Sequence, residues 1–181
     1  MFRVSIVVFA LLGVAFFSAC DRGKPAGPAA SAGSSAVPGA LPAGLFLGAA
    51  PADPKEIKDA KPTLKAGDRV VLVGRIGGSK EPFVAERAMF TLVDRRLKAC
   101  GEGTAMDSCE TPWDYCCEAR EDITANSATV QVVGPDGQPI KAELNGVRGL
   151  KPLAIVTVVG TIAKAEGGSV VVSASGFFVG P

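Results

Sequence analysis

LKAGDRVVLVGRI (residues 64–76) and LKPLAIVTVVGTI (residues 150–162) decide how this chain reads. Each places a turn ahead of a β-branched run, and each run is interrupted by a glycine: Gly74 in the first, Gly160 in the second. β-Branched side chains pack well on a pleated surface and lose rotamer freedom in a helix, so both runs predict strands, over 69–76 and 154–163. A glycine inside a strand marks a bulge or a sharp bend. The echo between the two phrases predicts two related strands in one domain.

Three further strands are expected around these. VAERAMFTLV (84–93) becomes densely apolar from Met89 onward. Residues 129–133 lead into Gly134-Pro135-Asp136-Gly137, a strong turn signal, with 139–144 placed to pair back across it. SVVVSASGFFV (169–179) follows a turn at 165–168. No segment from Leu64 onward has the 3.6-residue apolar period of a long amphipathic helix. The expected fold class is all-β.

Five short strands, with L-K-x-G-D-x-V-x-V-x-G-x-I entering the first, a similar phrase entering the fourth and F-T-L-V-D (90–94) in the place of the second, resemble an OB-fold across residues 64–179. The resemblance implies a five-stranded Greek-key barrel whose first strand curves at its glycine. A second phrase, CETPWDYCC (109–117), resembles exported bacterial OB-like proteins and brings no activity with it.

The other end of the chain reads as an address. Met1-Phe2-Arg3 carries one positive charge, and residues 4–17 (VSIVVFALLGVAFF) are almost wholly apolar. As a helix, residues 4–19 span about 24 Å at ~1.5 Å per residue, short of the roughly 30 Å hydrocarbon core, so a signal-peptide core is a better reading than a membrane span. Phe17-Ser18-Ala19-Cys20 resembles a bacterial lipobox, with Phe17 where Leu is usual. That resemblance implies cleavage after residue 19 and lipid on Cys20. Asp21 resembles an inner-membrane retention signal. Residues 20–62 are rich in Ala, Gly, Pro and Ser and read as a disordered tether, within which 41–50 is apolar enough to dock and 54–60 suits one helical turn. The expected organisation is thus signal peptide 1–19, tether 20–62 and OB-like domain 63–181, the last with a cysteine-rich insert at 94–122.

The insert carries Cys100, Cys109, Cys116 and Cys117, together with the only tryptophan and the only tyrosine, Trp113 and Tyr115. With Cys20 lipidated, the remaining four cysteines are even in number. In an oxidising compartment they are expected as two structural disulfides, Cys100 and Cys109 each to one of the adjacent pair, and no metal is expected. Their spacing does not match the C-x2-C knuckles of zinc sites, and no C-x-x-C redox motif is present. Trp113 and Tyr115 read either as a mini-core over the disulfides or as an aromatic platform.

Composition narrows function further. The chain has no histidine, which removes Ser-His-Asp and Cys-His catalysis and His-ligated metal. The carboxylates Asp94, Asp107, Glu110 and Asp114 form no pair with diagnostic spacing, so neither a catalytic residue nor a cofactor is assigned. From Thr63 onward 13 basic residues face 14 acidic ones, which speaks against nucleic acid as a partner. The expectation is a non-catalytic binding or structural module, lipid-anchored at the cell envelope through Cys20 and facing an envelope protein or glycan. Its ligand surface would centre on Trp113, Tyr115, Arg95 and Arg96. A nucleic-acid-binding OB domain and a metal- or redox-active cysteine site are the competing readings.

Overall fold

A computed structural model describes residues 39–102 and 109–180. The expected signal peptide, Cys20 and the tether as far as residue 38 lie outside the described residues, as does Asp107. Five strands form a closed barrel: β1 (Arg69–Ile76), β2 (Met89–Val93), β3 (Ser127–Gln131), β4 (Ile155–Glu166) and β5 (Ser169–Val179). Around the barrel the order is β1-β2-β3-β5-β4, and β4 pairs back with β1 to close it. β3 and β5 are parallel and the other barrel pairs are antiparallel. This is the all-β, OB-fold-like Greek-key barrel expected from the sequence, with the insert between β2 and β3.

The two echoing phrases turn out to be neighbours. β1 and β4 pair in register from Arg69↔Thr161 to Arg75↔Ile155, which sets Gly74 opposite Val156 and Gly160 opposite Val70. Gly74 is not a bulge, since the β1–β4 register runs through it without a shift. A Cβ at Gly74 would lie 2.6 Å from Leu92 Cγ and 2.7 Å from the Val93 carbonyl oxygen. The missing side chain lets β2 cross close over β1 where β1 swings from one neighbour to the next. Gly160 does sit at an irregularity, a register shift between β4 and β5.

β2 starts later than its sequence suggests. Glu86 takes a left-handed backbone (φ 57°), the Val84 N–H donates to the Met89 carbonyl, and Phe83 bridges Phe90. Residues 84–88 therefore fold back as a turn ahead of a strand that begins at Met89. β3 begins at Ser127, two residues before the expected start. The expected return across the 134–137 turn is present as the Val133–Pro139 bridge.

The largest departure concerns residues 39–62, expected as tether and here packed on the barrel. Leu45 and Ile57 are fully buried in the main core. The physical reason is unpaired sheet edge, which is costly to leave open. Beyond Ser173, β5 has no β3 partner; there Phe46 bridges Phe177, and the Leu47 N–H donates to the Phe177 carbonyl at 2.7 Å. β1 meets β2 only at Arg75↔Val93 and Ile76↔Leu92, and a two-residue strand, Lys55–Glu56, pairs with Leu72 and Val73 of β1 ahead of that contact. The expected helical turn follows directly as α1 (Ile57–Ala60). A second short helix, α2 (Arg120–Ala125), leads out of the insert into β3.

α1 has no side-chain cap of its own. Asp94, at the end of β2 and fully buried, accepts the Lys58 N–H at 2.8 Å and so supplies one from the barrel. Arg95 pairs with Glu56, and Arg96 bridges Asp94 and Asp59. The run Asp94-Arg95-Arg96 is therefore a clasp on the N-terminal segment. Burial raises the cost of ionising Asp94, but the Arg96 guanidinium and the Lys58 and Arg96 amides outweigh it and hold its carboxyl below the usual range.

Candidate functional site

The insert leaves the barrel at Asp94 and returns through α2. Its first arm, ending at Cys100 and Glu102, is tied to β1 by a bidentate Arg75–Glu102 pair at 2.6 and 3.3 Å. Glu102 also accepts the Ala99 N–H at 3.1 Å. The second arm turns at a short 3-10 segment, Pro112–Asp114. One backbone bond, Cys100 N–H to the Pro112 carbonyl at 3.0 Å, clamps the two arms together.

Tyr115 is the wedge that fixes this turn. Its backbone is left-handed (φ 58°, ψ 34°), its side chain is fully buried, and it packs with Val93 and Ala99 in a small second core. Gly77, just past β1, makes the space: a Cβ there would lie 2.8 Å from Tyr115 Cε2 and 2.6 Å from the Trp113 carbonyl oxygen. Gly78 donates its N–H to that carbonyl at 2.8 Å. Burial pushes the Tyr115 phenol up, against the charge and polar contact of Arg75, and its hydroxyl meets no partner in good hydrogen-bond geometry among the described residues. The Trp113 indole N–H donates to the Lys80 carbonyl at 3.0 Å. The insert thus lies against the loop joining β1 to β2, one of the loops with which OB domains meet ligands.

Of the residues expected at a ligand surface, Arg95 and Arg96 are exposed, Trp113 is half-buried and Tyr115 is buried. Tyr115 is buried with Val93 and Ala99 and presents no exposed ring. Arg95 and Arg96 do not join the cysteines; both are engaged with the carboxylates of the N-terminal segment.

The cysteines themselves are brought together, but not as disulfides. No disulfide joins Cys100, Cys109 and Cys116 to one another, where the sequence reading expects Cys100 and Cys109 each bonded to one of the adjacent pair. Cys116 Sγ lies 3.3 Å from Cys100 Sγ and 3.9 Å from Cys109 Sγ, against about 2.05 Å for a disulfide. Cys117 also contacts Cys100. Asp114 completes the group, its Oδ1 3.7 Å from Cys100 Sγ and accepting the Cys116 N–H at 2.9 Å, its Oδ2 accepting the Thr111 hydroxyl at 2.9 Å. Cys100 is buried, Cys109 and Asp114 are half-buried and Cys116 is exposed, so the cluster opens to solvent on one side.

Electrostatics within the cluster is uneven. Burial opposes ionisation of Cys100, but the Cys117 N–H and the neighbouring thiols outweigh it and hold its thiol below the usual range. The contacts of Cys116 with the Cys100 and Cys109 sulfurs push its thiol up. Burial likewise opposes ionisation of Asp114, and the Cys116 N–H and Thr111 hydroxyl more than offset it.

Sequence reading names Asp114 but gives it no role. The signal lies in its spacing: an Asp two residues ahead of Cys116 and three after Thr111 is placed to accept from both in a local turn. Gly77 and Lys80 carry no comparable signal, because their part is to receive the insert by close approach and by a backbone carbonyl.

Comparison with protein families, with curated proteins and with solved structures finds no match for this chain. The fold therefore gives its class, an OB-fold-like all-β barrel, and function must be argued from the residues.

Proposed function

We propose that this protein is a cell-envelope lipoprotein, held to a membrane by lipid on Cys20, whose OB-like domain is a non-catalytic binding module for an envelope protein or glycan. The observation that carries the binding reading is the seat of the insert. Trp113 and its carbonyl fix the insert on the loop between β1 and β2, so ligand-facing loops of the barrel type are here built into one surface with an aromatic edge. The lack of histidine in the chain supports a non-catalytic role.

The β2–β3 surface supports a partner other than nucleic acid. Its half-buried positions are Met89, Thr91, Ser127, Thr129 and Gln131, with neither an aromatic for base stacking nor a cation for phosphate. Support for the lipid anchor comes from the lipobox-like phrase and apolar leader; among the described residues no helix is long and apolar enough to cross a membrane.

Labelling cells with a radioactive or clickable fatty acid tests the anchor. The wild-type chain is expected to carry label and to partition with membranes, and Cys20→Ala to lose both. Equal labelling of the two overturns it. For the binding surface, crosslinking in intact envelopes is expected to yield an adduct that Trp113→Ala removes while the barrel stays folded.

A further inference from the structure

In the cysteine cluster Cys116 Sγ sits between Cys100 Sγ and Cys109 Sγ. The three sulfurs and a carboxylate oxygen of Asp114 all lie within 4.8 Å of one another. That is the arrangement of four donors around a common centre. A tetrahedral ion with metal–sulfur bonds of about 2.3 Å sets its sulfurs about 3.8 Å apart, and a carboxylate oxygen at about 2.0 Å falls about 3.5 Å from each sulfur. The sulfur–sulfur separations of 3.3 and 3.9 Å fall on either side of the first value, and the sulfur–oxygen separation of 3.7 Å lies close to the second.

From this arrangement we infer that Cys100, Cys109, Cys116 and Asp114 form a zinc site that closes the two arms of the insert on each other. Two of the donors are held in place before any ion arrives. Cys100 is held by its backbone bond to Pro112 and by the Arg75–Glu102 pair behind its arm. Asp114 is aimed by Thr111 and Cys116, and the turn that presents it is wedged by buried Tyr115. Such outer contacts orient ligands and tune affinity. Three thiolates suit a borderline-soft divalent ion and disfavour Mg2+ or Ca2+, which take oxygen donors. Binding displaces the thiol protons to solvent and leaves every oxidation state unchanged. Bound zinc also occupies the thiolate lone pairs through which disulfide exchange proceeds, so the set is protected in an oxidising compartment.

This inference is independent of the anchor, because it concerns no residue before Cys100. Zinc is itself the probe. The full chain, purified without chelator or reductant, is expected to contain one zinc per molecule by elemental analysis. Cys100, Cys109 and Cys116 are expected to resist alkylation until a chelator is added. Cobalt in place of zinc is expected to give thiolate charge-transfer absorption and the strong visible bands of a tetrahedral site. Cys109→Ser and Cys116→Ser, both outside the cores and so compatible with a folded barrel, are expected to weaken zinc binding by more than the roughly 10–100-fold typical of losing an outer contact. Asp114→Asn is expected to weaken it and to change the cobalt spectrum. A metal-free native protein with two disulfides overturns the inference, as does zinc binding unchanged in Cys109→Ser and Cys116→Ser. Both results leave the fatty-acid labelling of Cys20 untouched, so the two proposals fail separately.

Discussion

β1 and β4 pair over a continuous run from Arg69↔Thr161 to Arg75↔Ile155, whereas the insert holds to the barrel by separate contacts: Arg75–Glu102, Trp113 to Lys80, Gly78 to Trp113 and the wedge of Tyr115. The difference is one of redundancy. A ladder shares its stability over many equivalent bonds, so no single side chain decides it. The insert depends on a few unique residues, and its least redundant feature is the cysteine cluster. The lesson is that in this molecule the barrel supplies position and the insert supplies chemistry. Asp94 marks the border, ending β2 on one side and opening the insert on the other.

The comparison breaks most severely at that border. Asp94→Ala removes the fully buried acceptor of the Lys58 amide and of the Arg96 amide and guanidinium, and is expected to cost at least about 3 kcal/mol in urea unfolding. Its pH dependence has a definite sign. The folded carboxyl titrates below its unfolded value of about 4, so the stabilisation is fully present above that pH and fades as the pH falls through the folded value. The stability gap between wild type and Asp94→Asn should therefore be widest near neutrality and close in acid.

Next in size, Leu45→Ala tests whether the barrel includes residues 39–62. A fully buried leucine is expected to cost about 2–5 kcal/mol on truncation, where a true tether residue would cost nothing. The smallest effect sharpens the account of the insert. Tyr115→Phe removes a hydroxyl that meets no partner in good hydrogen-bond geometry among the described residues and keeps the wedge. It is expected to change stability by no more than about 0.5 kcal/mol, or to raise it, in the same unfolding measurement.

What was legible in the sequence follows the same division. β1 was readable to both ends, and β5 likewise, because β-branched runs bounded by Gly, Asp and Ser carry local signals. The start of β2 was not, since Val84 and Ala85 look strand-like while Glu86 adopts a left-handed turn that its residue type does not announce. Residues 39–62 were misread because Ala, Gly and Pro dominate their composition, and the few apolar side chains that matter, Leu45 and Ile57, gain their partners only from sheet edges elsewhere in the chain. The ion pairs of Arg95 and Arg96 are not legible for the same reason: Glu56 and Asp59 are far away in sequence. The cysteines were flagged, but pairing by count and spacing missed how the Tyr115 turn gathers three sulfurs around one point.

Hydrogen exchange on the full chain, with zinc supplied and then chelated, bears most directly on the division between barrel and insert. Slowed exchange with zinc is expected at the amides that join the two arms and the turn, those of Gly78, Cys100, Asp114 and Cys116, while the β1–β4 ladder stays equally protected in both conditions. Identical exchange in the insert with and without zinc, or a barrel that loses its protection on chelation, would contradict it.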